Sequence, residues 1–150
     1  AAAANYARNR FGCKVILTGG DSDLEKTYGR KIIDLCEGSD FVNLIGETSL
    51  KELLAIIAAA DALICPDSGP AHMGTAAGTP VIGLYATSNP GRSGPYLSDT
   101  LTVNAYAKAV GRFLGKTPEQ LRWGQRVRDP GAMDLIRLRD VTKKIDQVFG

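Results

Sequence analysis

The sequence predicts an α/β fold, a Rossmann-like parallel sheet with helices on both faces. Short apolar runs alternate with segments of helical period, which is the order of a chain that crosses back between parallel strands. Those runs are apolar throughout rather than alternating, as in strands buried on both faces. Each is followed by a turn of small and polar residues: Gly19-Gly20-Asp21-Ser22-Asp23, Gly46-Glu47-Thr48, Asp67-Ser68-Gly69 and Ala86-Thr87-Ser88. Open parallel sheets bind ligands outside the carboxyl ends of their strands, so these turns are expected to converge on one site.

Taken in order, residues 1–11 are helix-prone, with Tyr6, Ala7 and Phe11 as packing residues and a stop at Gly12. The chain thus opens as the last turns of a helix, and residues upstream are expected. Cys13 to Thr18 is β-branched and apolar and reads as the first strand. From Leu24 to Cys36 a helix follows, with Leu24, Tyr28, Ile32, Leu35 and Cys36 expected on its packed face. Phe41 to Ile45 reads as the second strand. Ser49 and Glu52 then form a capping box, opening a helix whose Leu50, Leu53, Leu54 and Ile57 recur at three- and four-residue steps.

Ala62 to Cys65 is the third strand, followed by a short helix bounded by Pro70 and Gly78. Proline suits a first helical position because its φ is preset and its missing N–H would be unpaired there, and glycine suits the left-handed position past the end. The free N–H groups and the positive dipole end of that helix face the turn carrying Asp67, Ser68 and Gly69, an anion-binding layout. Val81 to Tyr85 is the fourth strand, 86–96 a loop, and Leu101-Thr102-Val103 the last strand. Thr117 as cap and Pro118 behind it predict a helix from Lys116 onward. A final helix begins near Leu138, with Val141, Ile145 and Val148 on one face.

The chain has 150 residues, 44% apolar and 23% charged, enough for one domain with a core, here residues 1–150. A net charge of +2 gives no argument for nucleic acid. Charge is uneven, however: between Lys108 and Arg128 six basic residues face Glu119 alone, which predicts a local basic face with Phe113, Leu114 and Trp123 interleaved. That face suits an anionic acceptor or a membrane surface, or equally a solvated helix docking another domain. Cys13, Cys36 and Cys65 are odd in number and lack a CxxC pair, so buried reduced thiols are expected rather than disulfides or a metal site. With no apolar run of membrane-spanning length and no leader, the expected location is cytoplasmic, with peripheral contact at the inner membrane compatible with the basic segment.

Neither GxGxxG nor GxxxxGK[ST] is present, which removes support for a dehydrogenase or a P-loop enzyme. A Ser68–His72 hydrolase pair lacks the GxSxG elbow and would place both groups on one helix start. Gly19-Gly20 and Gly46-Glu47-Thr48 read as turns and a helix cap as readily as ligand contacts. Asp67 suits either a helix cap or a ligand, while Asp23 suits ribose hydroxyls. His72, the single histidine, lies in the first turn of the anion-facing helix, where an imidazolium could pair with phosphate.

Several of these stretches together carry a resemblance. Gly46-Glu47-Thr48-Ser49-Leu50, Ala58-Ala59-Ala60-Asp61, Asp67-Ser68-Gly69-Pro70-Ala71-His72 with Gly78-Thr79-Pro80, Tyr85-Ala86-Thr87-Ser88-Asn89-Pro90 and Arg92-Ser93-Gly94-Pro95-Tyr96 resemble the C-terminal domain of glycosyltransferase family 9, the ADP-heptose:lipopolysaccharide heptosyltransferases and their relatives. The resemblance covers about residues 11–105 well. It implies the C-terminal half of a two-domain GT-B fold, a bacterial enzyme of lipopolysaccharide biosynthesis, and a nucleotide-sugar donor with no metal and no cofactor. Asp67, Ser68, Gly69, Pro70 and His72 would then meet the diphosphate and sugar, Thr48 the base and Asp23 the ribose, with Gly19 and Gly20 letting the ligand approach the backbone.

Two departures stand out. Ala86 and Thr87 replace the Gly and Pro that many members carry. The N-terminal half, with the carboxylate thought to act as base on the acceptor hydroxyl, and the upstream strand of this half, with its phosphate-contacting Thr and Lys, are both outside this sequence. The expectation is therefore the donor-binding half of an inverting transferase that passes heptose or a related sugar to an anionic glycolipid, inactive alone. Alternatives are a non-catalytic nucleotide- or sugar-phosphate-binding module and a sugar-nucleotide epimerase domain.

Overall fold

The computed structural model describes residues 1–36, 38 and 41–150. Its strands are β1 (Val15–Gly19), β2 (Phe41–Ile45), β3 (Leu63–Pro66), β4 (Val81–Tyr85) and β5 (Val103–Asn104). Its helices are α1 (Ala2–Phe11), α2 (Asp23–Asp34), α3 (Leu50–Ala59), α4 (Gly69–Ala77), α5 (Pro90–Ser93), α6 (Tyr106–Leu114) and α7 (Leu138–Phe149). All described strand pairs are parallel, in a two-stranded sheet β1-β2 and a three-stranded sheet β3-β4-β5. The chain divides into two units, Ala1–Ile56 with Phe149 and Ile57–Val148 with Gly150.

In the first unit β1 and β2 pair from Val15 opposite Phe41 to Gly19 opposite Ile45. Helix α2 packs on β2 through only part of the predicted apolar face, with Ile32 and Cys36 half-buried. Leu24, Tyr28 and Leu35 are exposed, and the buried position is Gly29. A Cβ at Gly29 would lie 2.5 Å from Ile45 Cδ1, so the missing side chain is what lets the helix backbone reach the strand. Close packing of the helix backbone on the Ile45 and Asn43 side chains has overridden part of the apolar stripe. Ser22 caps α2 and Ser49 caps α3, where the Ser49 N–H donates to Glu52 Oε2 at 2.7 Å. Leu50 and Leu54 of the expected stripe are exposed, while Ile57 is buried.

In the second unit β4 is the most buried strand, with Val81, Ile82 and Tyr85 inaccessible. Helix α4 lies on β3 and β4. Ala71 is fully buried, and a Cβ on Gly74 would stand 2.6 Å from Val81 Cγ2. Pro70 is the second residue of α4 rather than the first, and Gly78 ends it at φ +77° as expected. Thr79, next in that Gly-Thr-Pro run, is structural: its hydroxyl donates to the Ile57 carbonyl at 2.7 Å in the interior.

Downstream of β4 the chain departs from the reading. The 86–96 loop contains the one-turn helix α5, and the last strand begins at Val103 after a 3-10 turn at Asp99–Leu101. Helix α6 has no predicted counterpart, because Ala105 offers no capping side chain; its signal is Tyr106, Ala109, Val110 and Phe113 at helical spacing. The helix predicted from Lys116 stops after the 3-10 turn Pro118–Gln120. Thr117 is the N-cap as expected, its N–H donating to Gln120 Oε1 at 2.9 Å, but Gly124 at φ +79° and the absence of a following apolar stripe end it. The basic residues therefore do not share one helical face. Lys108 and Arg112 ride on α6, whereas Arg122, Arg126 and Arg128 belong to an irregular strap. Val127 anchors that strap in a core cluster with Tyr106, Ala109, Val110 and Ala132.

Cys65 is buried, but Cys13 and Cys36 are half-buried, not interior as expected. Among the described residues no helix is long and apolar enough to cross a membrane, and no cluster of three His, Cys, Asp or Glu could hold a metal.

Candidate active site

The candidate turns fall two in each unit. In the first, Gly46 sits at φ +80°, and a Cβ there would crowd Asp21 Oδ1 and Lys26 Cε at 2.8 Å, so the turns after β1 and β2 meet. Asp21 is ion-paired with Lys26. The Gly20 N–H, a candidate ligand contact, is taken: it donates to Glu25 Oε1 at 3.0 Å, while the Ser22 hydroxyl donates to Oε2 at 2.6 Å. Those two hydrogen bonds, Ser22 first, hold the Glu25 carboxyl below its ordinary value. Gly19 accepts the Gly46 N–H through its carbonyl. Asp23 is exposed on the first turn of α2, and Thr48 is half-buried just before α3.

In the second unit the strand end, turn and helix start follow within a few residues. The strand β3 delivers Asp67 to the turn, and Ser68 is extended (φ −155°, ψ 168°) as the N-cap of α4. Neither Asp67 nor Ser68 caps the helix with its side chain. The Ser68 hydroxyl donates back to the Pro66 carbonyl at 3.1 Å, leaving the first turn of α4 without a side-chain partner. Gly69 and His72 are exposed and Pro70 is half-buried.

Asp67 is instead paired with Arg126. Nη2 of Arg126 lies 3.0 Å from Asp67 Oδ2, and the Asp67 side chain is 8% exposed against 49% for Arg126. The strap reaches it because the Val127 N–H donates to the Thr87 carbonyl at 2.9 Å and the Tyr106 hydroxyl donates to the Gln125 carbonyl at 2.6 Å. Arg126 was hidden in the sequence inside a basic run, 59 positions from its partner. The strap also walls a cavity of about 310 Å³ lined by residues including Asn89, Arg92, Tyr106, Arg122 and Trp123.

Beneath the turn lie two buried acids. Burial, with a smaller upward push from Asp67, raises the Cys65 thiol to about 11, against an opposing Ser68 hydrogen bond. Burial and the same carboxylate raise Tyr85 to about 12. Both groups are held neutral in the fold, so the unfolded thiol, ordinarily near 9.0, ionises first. Stability is then fully present below pH 9 and is lost as pH rises through about 11. Urea unfolding should be level from about pH 7 to 8.5 and weaken above it, by about 1–3 kcal/mol from Cys65. A profile that Cys65→Ala leaves equally steep would contradict this.

Parallel strands joined by helices, with polar turns at the strand carboxyl ends, make this a Rossmann-like α/β chain. It belongs to glycosyltransferase family 9 (heptosyltransferase), whose model matches residues 3–115. The chain is 36% identical over 138 residues, 92% of its length, to the lipopolysaccharide core heptosyltransferase OpsX of Haemophilus influenzae, and spans 39% of that relative. The crystal structure of a family 9 glycosyltransferase from Veillonella parvula superposes with a TM-score of 0.68 at 25% identity, over 98% of this chain and 39% of that one. The Escherichia coli ADP-heptose lipopolysaccharide heptosyltransferase II shares the fold, with a TM-score of 0.58 at 22% identity over 96% of this chain and 40% of its own. The chain thus spans about two fifths of the relatives it matches over most of its length.

Proposed function

We propose that this chain is the donor-binding half of an inverting, metal-independent heptosyltransferase. It holds a nucleotide-sugar, ADP-heptose or a close relative, for transfer to an anionic lipopolysaccharide-type acceptor. The observation that carries the reading is the turn Asp67-Ser68-Gly69 at the uncapped start of α4, in a chain of this family. Backbone N–H groups and the helix dipole there suit a diphosphate, and His72 in the first turn suits the charge that develops as the diphosphate leaves. Thr48 is assigned to the base and Asp23 to the ribose. Gly19 and Gly20 supply close approach, although the Gly20 amide is engaged by Glu25.

The acceptor and the base that activates its hydroxyl are assigned to the other half. Transfer by these 150 residues alone would contradict that division.

Thermal unfolding with ADP, UDP and GDP tests the donor. At about a hundred times Kd, ADP should raise Tm by roughly 5–10 °C and exceed the other two. A ranking led by UDP would favour the epimerase alternative, and no shift with any of the three would overturn the donor-site reading.

A further inference from the structure

We infer that Arg126 is a diphosphate-binding residue of the donor site and that Asp67 is its positioning residue, an inference that rests on the donor-binding reading above. A carboxylate alone is a poor neighbour for a diphosphate, because like charges repel at short range. The Asp67 side chain is 8% exposed, and its charge is already answered by the Arg126 guanidinium at 3.0 Å. What the turn offers an anion is therefore the arginine that the aspartate holds, together with the start of α4.

A guanidinium carries five N–H donors in a planar fork. Among the described residues one contact is made, from Nη2 to Asp67, and the side chain is half exposed. The remaining donors suit the paired oxygens of a phosphate, which a fork meets two at a time. The arm is rigid at its root. Val127 is 1% exposed in the core, its N–H is bound to Thr87 at the end of β4, and the carbonyl of Gln125 is bound by Tyr106. Arg126 is thus fixed across the ends of β3 and β4. The same β4 turn holds a spare polar atom, since the Ser88 hydroxyl is buried, with the residue 1% exposed, and has no hydrogen-bond partner among the described residues.

Calorimetric titration of the full chain with ADP, AMP and adenosine tests the assignment. Arg126→Ala should weaken ADP about 10- to 100-fold and leave adenosine within about twofold. Arg126→Lys should recover part of the loss, because it keeps the charge without the fork. Asp67→Asn should weaken ADP less than Arg126→Ala does, and the double variant should be no worse than Arg126→Ala, since both act through one guanidinium. If the alanine variant does not fold, Arg126→Lys and Arg126→Gln carry the comparison.

Unchanged ADP binding in a folded Arg126 variant overturns the inference and leaves the donor reading intact. An equal loss for ADP and adenosine also overturns it, by making the role purely structural. An unaltered chain that binds none of the three overturns both.

Discussion

Tyr85→Ala is expected to lower the unfolding free energy by about 3–5 kcal/mol, the range for removing a large aromatic side chain from a packed interior. Tyr85 ends β4 and is inaccessible to solvent. Its ring fills the space over Gly83, where a Cβ would stand 2.6 Å from Tyr85 Cε2. Its hydroxyl donates to the Ser93 carbonyl at 2.8 Å and ties α5 to the strand. Since domains are stable by only about 5–15 kcal/mol, the alanine variant should lose a large share of its stability. Tyr85→Phe keeps the ring, and should cost about 1 kcal/mol for the hydrogen bond. Urea denaturation followed by circular dichroism separates the two, and equal losses would show that the hydroxyl rather than the packing carries the effect.

On the proposed transfer reaction, His72→Ala in the full-length enzyme should reduce the transfer rate about 10²- to 10³-fold while changing affinity for the intact nucleotide-sugar by less than about threefold. ADP, which carries the full leaving-group charge, should bind the variant more weakly. The reason is where His72 sits. It is exposed in the first turn of α4, behind a turn whose helix N–H groups have no side-chain cap. In the proposed reaction charge on the departing diphosphate grows along the path, so a donor that meets it there acts more on the rate than on binding of the intact nucleotide-sugar. Single-turnover kinetics with donor in excess isolates that step. A rate unchanged beyond about threefold would remove His72 from the leaving-group role.

Local chemistry was legible in the sequence wherever a short stretch decides its own conformation. The Ser49–Glu52 capping box, the left-handed stop at Gly78 and the buried β4 run all follow from neighbours within a few residues. The turn Asp67-Ser68-Gly69 at a helix start was legible for the same reason. Signals failed where a local pattern competed with packing. Leu24, Tyr28 and Leu35 made a helical stripe, yet Gly29 took the buried place because the absence of a side chain gave the closer contact. Thr117 and Pro118 began a helix that nothing downstream could bury, and α6 formed although its N-cap Ala105 has no capping side chain, because Tyr106, Ala109 and Val110 had a core to enter and Asn104 Oδ1 accepts from the Tyr106 N–H.

The sequence by itself therefore determined the α/β class, the order of strands and helices through β4, and the turn Asp67-Ser68-Gly69 ahead of α4. Tertiary structure alone decided that Asp67 is bound to Arg126 and that the stretch expected as a local basic face is in part a strap anchored by Val127. Strand and helix propensities act over a few residues, whereas an ion pair between positions 67 and 126 exists only once the core has brought the strap across the strand ends.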